Sequence, residues 1–276
     1  MQSIARARVV SLFALLFALM ALSGAAHALV FAINEGVTYR VTNDEIRARY
    51  AAIASDLGKI LKQPVTIEPI SHYPTLRQGL DNKSYDLAMV HPAHISIQAI
   101  KNQGYHLIAV AKGFEGYAAS FLVRADSPLK SLADLEGKRL GAPDEDSITS
   151  WMVRASLRDA LKNPKSVAIT YTRYQDAVPF FVENTLTHAG ATAANAVIKD
   201  WQAKGGKVLV KSKAVPIKHL IAAPSITPEQ VTALREYFVA LDATEEGRKK
   251  LEPSKLRGFM AYDEAAMLDL GKWLGL

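Results

Sequence analysis

Between Gly141 and Trp151 the chain reads Gly-Ala-Pro-Asp-Glu-Asp-Ser-Ile-Thr-Ser-Trp. An apolar stretch ends there, a short acidic turn follows, and the hydroxyl residues Ser147, Thr149 and Ser150 stand where the next apolar periodicity begins. The first N–H groups of a helix have no partner within it, so hydroxyls gathered at a helix start can converge with them on an oxyanion. The same residue types are also ordinary helix caps, and by local pattern Ser147 or Thr149 fits either role.

His91-Pro92-Ala93-His94 sets two histidines three positions apart where a strand gives way to a helix. A metal site needs more donors, and neither a cysteine nor a third histidine lies close by, so His91 reads as cleft lining or as helix-start packing, with no metal. The chain has no Gly-x-Ser-x-Gly elbow, no phosphate-loop lysine motif and no His-Glu-x-x-His, and its carboxylates and serines form no recognisable triad. The expectation is a binding protein without catalysis and without a cofactor. Trp201 and Trp273 read as packing surfaces, Tyr105 and His106 as loop residues.

The elements that carry these residues alternate. Leu29 to Asn34 is strand-like, and Thr42-x-x-Glu45 is a capping box for a helix whose apolar stripe runs Ile46, Tyr50, Ile53, Leu57, Ile60. Strands at Val65–Ile67 and Asp86–Val90 and helices near Leu76 and from Ala93 to Ile100 follow, then strands at Leu107–Ala111 and Phe121–Val123. After Asp126-Ser127-Pro128 the rhythm restarts, with strands at Arg139–Ala142, Ala168–Tyr171, Ala189–Thr192 and Val208–Val210 separated by helices, one of them Trp151–Leu161. A strand at Leu220–Ala223 and helices from about Pro228, Glu245 and Asp263 close the chain. Such alternation predicts an α/β fold of two lobes, each a mostly parallel sheet flanked by helices and joined by two hinge segments, with the ligand between them. The lobes are expected over 29–118 with 216–276, and over 119–215.

Composition narrows the class. The 276 residues are 49% hydrophobic and 22% charged and contain no cysteine, which excludes a disordered tail, a disulfide-stapled miniprotein and a thiol enzyme. Arg6 and Arg8 precede an apolar run from Val9 to Leu22 that ends in Ala26-His27-Ala28, the pattern of a secretory signal peptide cut after Ala28. That run is short of the roughly 20 residues a membrane span needs. Without the two arginines the net charge is +4, too mild and dispersed for nucleic acid but suited to a small anion. A monomer free in the periplasm is the expectation.

With these residues in view, the chain resembles the periplasmic substrate-binding proteins of phosphate, phosphite and phosphonate ABC transporters. The likeness rests on His72-Tyr73, Asp86-Leu87-Ala88, Gly116-Tyr117, Leu122-Val123-Arg124-Ala125-Asp126-Ser127-Pro128, Leu132 to Lys138, Ser147-Ile148-Thr149-Ser150 and Ser212 to Pro216, in that order over nearly the whole mature chain. The resemblance implies a type II periplasmic binding protein that grips an oxyanion and delivers it to an inner-membrane permease. By position it implies Ser147 and Thr149 as ligand contacts, Ile148 through its backbone N–H, and Tyr73 and Tyr117 closing the cleft. Two positions depart from the phosphonate-binding pattern: Tyr174-Gln175-Asp176 lacks a histidine at Gln175, and His188 stands before Ala189-Gly190-Ala191 in place of an acid. His188 cannot supply a carboxylate's negative charge, which points to altered specificity. Two alternatives share the fold: a periplasmic sensor signalling to a membrane histidine kinase, and a protein for a different small anion.

Overall fold

The computed structural model describes residues 28–35 and 42–276, so the signal-peptide reading lies outside the described residues apart from Ala28. Strand β1 (Leu29–Ile33) pairs in parallel with β2 (Val65–Pro69) on one side and β3 (Leu87–Val90) on the other. Its alternation decides where it packs. Phe31 and Ile33 enter an apolar body with Tyr50 and Leu57, whereas Ala32 faces the opposite body.

Helix α1 (Asn43–Leu61) begins at the Thr42 capping box and buries Ile46, Tyr50, Ile53, Ala54, Leu57 and Leu61. Leu61, rather than Ile60, closes the stripe, and Lys62 ends the helix in the left-handed conformation. Helices α2 (Tyr73–Asp81) and α3 (Ala93–Gln103) alternate with the strands as expected. Strand β4 (His106–Ala111) starts earlier than its apolar run. Tyr105 lies in the loop between α3 and β4 as expected, but it is 1% exposed and donates its hydroxyl to Tyr85 O at 2.8 Å, whereas His106, also expected in a loop, is the first residue of β4.

The chain then leaves this sheet and builds a second from β5 (Ser120–Val123), β6 (Arg139–Ala142), β7 (Ala168–Tyr171), β8 (Ala189–Thr192) and β9 (Lys207–Lys211), in the order β7-β6-β8-β5-β9. Helices α4 (Ile148–Ala160), α5 (Val178–Glu183) and α6 (Asn195–Ala203) connect its strands. The return strand β10 (His219–Ala222) slots antiparallel between β3 and β4. The short β11 (Phe259–Met260) completes the first sheet in the order β11-β4-β10-β3-β1-β2, with α7 (Pro228–Ala240), α8 (Glu245–Leu251) and α9 (Glu264–Leu274) around it. Both sheets are thus mixed: most strands of each run in one direction, but only two of the neighbour pairings in each are parallel, because β10, β11 and β5 run against their neighbours, and the architecture is that of a type II periplasmic binding protein.

Two segments cross between the sheets and are tied to each other. Val215 N donates to Tyr117 O at 2.8 Å, Ser212 N to Ala119 O at 2.8 Å and Ile217 N to Phe114 O at 3.1 Å. Helix α9 packs on α3 beside the first sheet and on α4 beside the second. Gly271 permits the first contact, since a Cβ there would lie 2.5 Å from Ile97 Cγ2. On the other side Trp273 Nε1 donates to Asp159 and Arg158 to Trp273 O, both at 2.7 Å. Trp273 therefore contributes a polar tie as well as packing surface.

Candidate functional site

Parallel strands aim their carboxyl ends, and the helices that follow them start, at one edge of a sheet. In the second sheet that edge carries the turn after β6. Asp144 shapes it by accepting from Asp146 N at 2.9 Å through its carboxylate, while its carbonyl accepts from Ser147 N at 2.9 Å. Helix α4 then begins three residues earlier than its apolar periodicity, with Ser147 as cap and Ile148 and Thr149 inside the first turn.

The hydroxyls there divide their work. Ser147 Oγ accepts from Ser150 N at 3.1 Å and lies 3.2 Å from Ser150 Oγ, which donates to Pro143 O at 3.0 Å. Ser147 and Ser150 therefore hold the turn and cap the helix. Thr149 is fully buried and points elsewhere, with its Oγ1 3.2 Å from Tyr117 OH on the outgoing crossing segment. The N–H groups of Ile148 and Thr149, first and second in the helix, have no acceptor within it. The Ile148 side chain is 3% exposed and belongs to the core.

Gln175 joins this cluster from the segment after β7. Its Oε1 accepts from Ala193 N at 2.6 Å and Thr192 Oγ1 at 3.0 Å, and its Nε2 donates to Tyr117 OH at 2.9 Å. Because a backbone N–H can only donate, the amide orientation is set. Tyr117 accepts from Gln175 and keeps its own proton, so between Tyr117 and Thr149 two hydroxyl protons serve one contact and one of them is left for a further acceptor. The chain of donors ends at the start of α4, beside the two open N–H groups.

The first sheet contributes Tyr73, the opening residue of α2, which packs against the same apolar body as Tyr117. It also contributes His91, directly after β3 and joined to Pro92 by a cis peptide bond. His91 Nδ1 lies 3.1 Å from Ile217 O, an acceptor, so Nδ1 carries the proton and Nε2 is an acceptor. Burial pushes His91 down to about 4, and the Lys218 ammonium adds to the effect, so the ring is neutral at pH 7. A neutral ring suits a protonated ligand oxygen rather than a bare anionic one.

His188 is set apart from these residues. It precedes β8, at the amino end of the strand, whereas Thr192 and Ala193 stand at and just past the carboxyl end. Its Nδ1 accepts from Arg139 N at 3.1 Å, and its side chain lines a shallow cavity of about 330 Å³ with Arg124, Lys138, Thr185 and Thr187. The place before Ala189-Gly190-Ala191 is thus remote from the cluster, and the carboxylate that faces the other sheet comes from Asp146. Asp146 accepts from Arg77 Nη1 at 2.8 Å and Nη2 at 2.7 Å, and His94 Nε2 lies 3.3 Å from its Oδ1. Burial works against the Asp146 charge, but the close approach of His94 and the two hydrogen bonds from Arg77, whose Nη2 also lies 3.1 Å from His94 Nε2, outweigh it and hold the carboxyl well below the usual range. Burial also pushes His94 down, against the pull of Asp146. The His94 ring stacks on Trp151 at 5.5 Å, and the Arg154 guanidinium covers the Trp151 ring at 4.6 Å. Sequence reasoning singled out His94 only as half of a histidine pair and passed over Arg77 and Asp146, which meet across 69 positions with no local signal.

Among the described residues no group of three or more His, Asp or Glu is placed to hold a metal ion, and no helix is long and apolar enough to cross a membrane.

Residues 36–267 match the family model for the periplasmic substrate-binding proteins of phosphonate ABC transporters. Among solved structures, XAC2383 from Xanthomonas citri bound to ATP is similar with a TM-score of 0.68 at 14% identity, over 90% of this chain and 97% of that one. PhnD1 from Prochlorococcus marinus in complex with methylphosphonate gives 0.61 at 16% identity, over 89% and 96%. A binding-protein component of an ABC phosphonate transporter from Pseudomonas aeruginosa gives 0.57 at 17% identity, over 89% and 85%. No curated protein sequence matches the chain.

Proposed function

The chain belongs to the family of periplasmic substrate-binding proteins of phosphonate ABC transporters, and from that membership we propose that it captures a small phosphorus oxyanion between its two sheets and delivers it to an inner-membrane permease. The family carries substrates for transport and does not turn them over, and it works in the periplasm. In our reading residues 29–118 with 216–276 form one lobe and 119–215 the other, and the paired crossing segments around Tyr117 and Val215 are the hinge.

The observation that carries the proposal is the polarised chain Gln175, Tyr117, Thr149. It starts from backbone and hydroxyl donors at the end of β8, passes through Tyr117, and leaves one hydroxyl proton of the Tyr117–Thr149 pair without an acceptor in that pair, near the open N–H groups of Ile148 and Thr149. Donors oriented in advance on a buried acceptor site bind an oxyanion without reorganising. Two proteins of this fold named above bind phosphorus compounds, ATP and methylphosphonate, which makes a phosphoryl-type group the first class to test.

The test is a thermal-shift series on ligand-stripped protein with phosphate, phosphite, methylphosphonate, aminoethylphosphonate, sulfate and simple carboxylates. A ligand present at ~100 times its Kd adds about 2.7 kcal/mol of stability, a shift easily read for a chain of this size. A shift confined to phosphorus compounds supports the proposal. No shift with any of them, or a shift with carboxylates alone, rejects it.

A further inference from the structure

Arg77 meets Asp146 end-on, with Nη1 donating to Oδ2 at 2.8 Å and Nη2 to Oδ1 at 2.7 Å. Two parallel N–H groups on two oxygens of one group is how a guanidinium binds an oxyanion of any kind, whether carboxyl, sulfonyl or phosphoryl. Around this contact the polar surface is only partly used. His94 is fully buried and its Nδ1 has no hydrogen-bond partner, and the same is true of Nε1 on Trp151, the ring stacked against it. Buried polar atoms left unpaired in this way are uncommon and costly. Asp146 itself is the exposed member of the group, with 41% of its side chain open to solvent.

Position gives the contact its meaning. Asp146 directly precedes the Ser147 cap, so its carboxylate lies within a turn of the open N–H groups of Ile148 and Thr149. An oxyanion drawn to those groups arrives beside an ionised carboxylate, and two like charges at that spacing cannot share one site without cost. We infer that the Arg77 guanidinium, whose Nη2 also lies 3.1 Å from His94 Nε2 and donates to it, forms an oxyanion receptor on the first sheet's side of the cleft with His94 holding it in place, that Asp146 fills it when no ligand is bound, and that the anionic group of the ligand takes the place of Asp146 there. Asp146 is then an internal competitor, and Arg77 is a ligand-binding residue as well as a tie between the sheets. The inference rests on the reading that the cleft binds an anion, and it extends to any ligand that presents two oxygens.

Isothermal titration of inorganic phosphate, methylphosphonate and acetate into the wild type, Asp146→Asn, Arg77→Gln, Arg77→Lys and the double variant Arg77→Gln/Asp146→Asn tests it, with thermal melting to confirm that each variant folds. Removing the competitor should tighten the preferred anion by roughly tenfold, and removing the receptor should weaken it by at least as much. Arg77→Lys, which keeps the charge but loses the fork, should fall between. In the double variant the gain from Asp146→Asn should vanish, because there is no receptor left to vacate. The acetate arm separates a general oxyanion receptor from one selective for phosphorus. If Asp146→Asn binds no more tightly than the wild type while the wild type binds an anion, the inference fails and the cleft reading stands. If none of the proteins binds any oxyanion, both fall together.

Discussion

The side-chain amide of Gln175 is oriented by the backbone of Ala193, whose N–H reaches Gln175 Oε1 at 2.6 Å and so turns Nε2 toward Tyr117. Gln175→Glu keeps the acceptor that Ala193 and Thr192 need but puts a second acceptor where Tyr117 requires a donor. Tyr117 must then donate to the new carboxylate, its proton is no longer available elsewhere, and a negative charge enters the cluster. Anion affinity should drop by roughly tenfold or more in calorimetry, with little change in fold. Unchanged affinity would show that the chain of donors does not reach the ligand.

Tyr117→Phe removes the middle of the same chain and leaves Gln175 Nε2 without its partner. An unsatisfied donor costs about 1 to 3 kcal/mol when buried and less at the half-buried Gln175, so this variant should melt at a slightly lower temperature even without ligand and bind the anion more weakly. Retained wild-type melting and affinity together would contradict the geometry described above.

Acid stability should follow the buried histidines. Burial pushes His219 down to about 4, and burial with the nearby Lys218 does the same for His91, whereas an unfolded histidine titrates near 6.5. A native pKa below the unfolded one means that the unfolded chain binds more protons between those values. The contribution of these two groups to stability is therefore constant above pH 7, falls as pH falls through 6.5 toward 4, and then levels off, with at most about 3 kcal/mol lost per histidine. Melting curves across this range should show the decline, and His219→Gln should flatten it. A melting temperature that does not move between pH 7 and pH 4.5 would reject the assignment.

His188→Asp should leave cleft affinity for aminoalkyl phosphonates as it is, because His188 is bonded to Arg139 N at the amino end of β8. The resemblance by itself implies a gain from that substitution. A tenfold gain on titration would mean that the strand's other end carries the site after all.

Most of the fold is written locally. The apolar runs that become β6, β7 and β8 and the Thr42 capping box specify their elements with nearest-neighbour information. Strand β11 is not legible in this way, since two residues after a glycine carry no alternation and pair only because β4 offers an edge. The site divides likewise. Ser147 and Thr149 are visible as hydroxyls at a helix start, but which one caps and which one faces Tyr117 depends on where the helix begins. His188 shows the same limit, because a short motif beside a strand does not say which end of the strand its first residue occupies, and the structure places it at the amino end, away from Gln175 and Thr149. Arg77 and Asp146 are ordinary surface residue types until two separate parts of the chain meet.

In the proposed two-lobe reading, the attachment of α9 to both α3 and α4 constrains how the lobes would part. Two crossing segments alone permit rotation about one axis, as a door turns on its frame. A helix of 11 residues pinned to both leaves acts as a stay, so opening must either break the Trp273 contacts with Asp159 and Arg158 or slide α9 along the Gly271 seam against Ile97. Both routes limit amplitude, and a ligand that needs a wide entrance would be admitted at the rate at which the stay lets go.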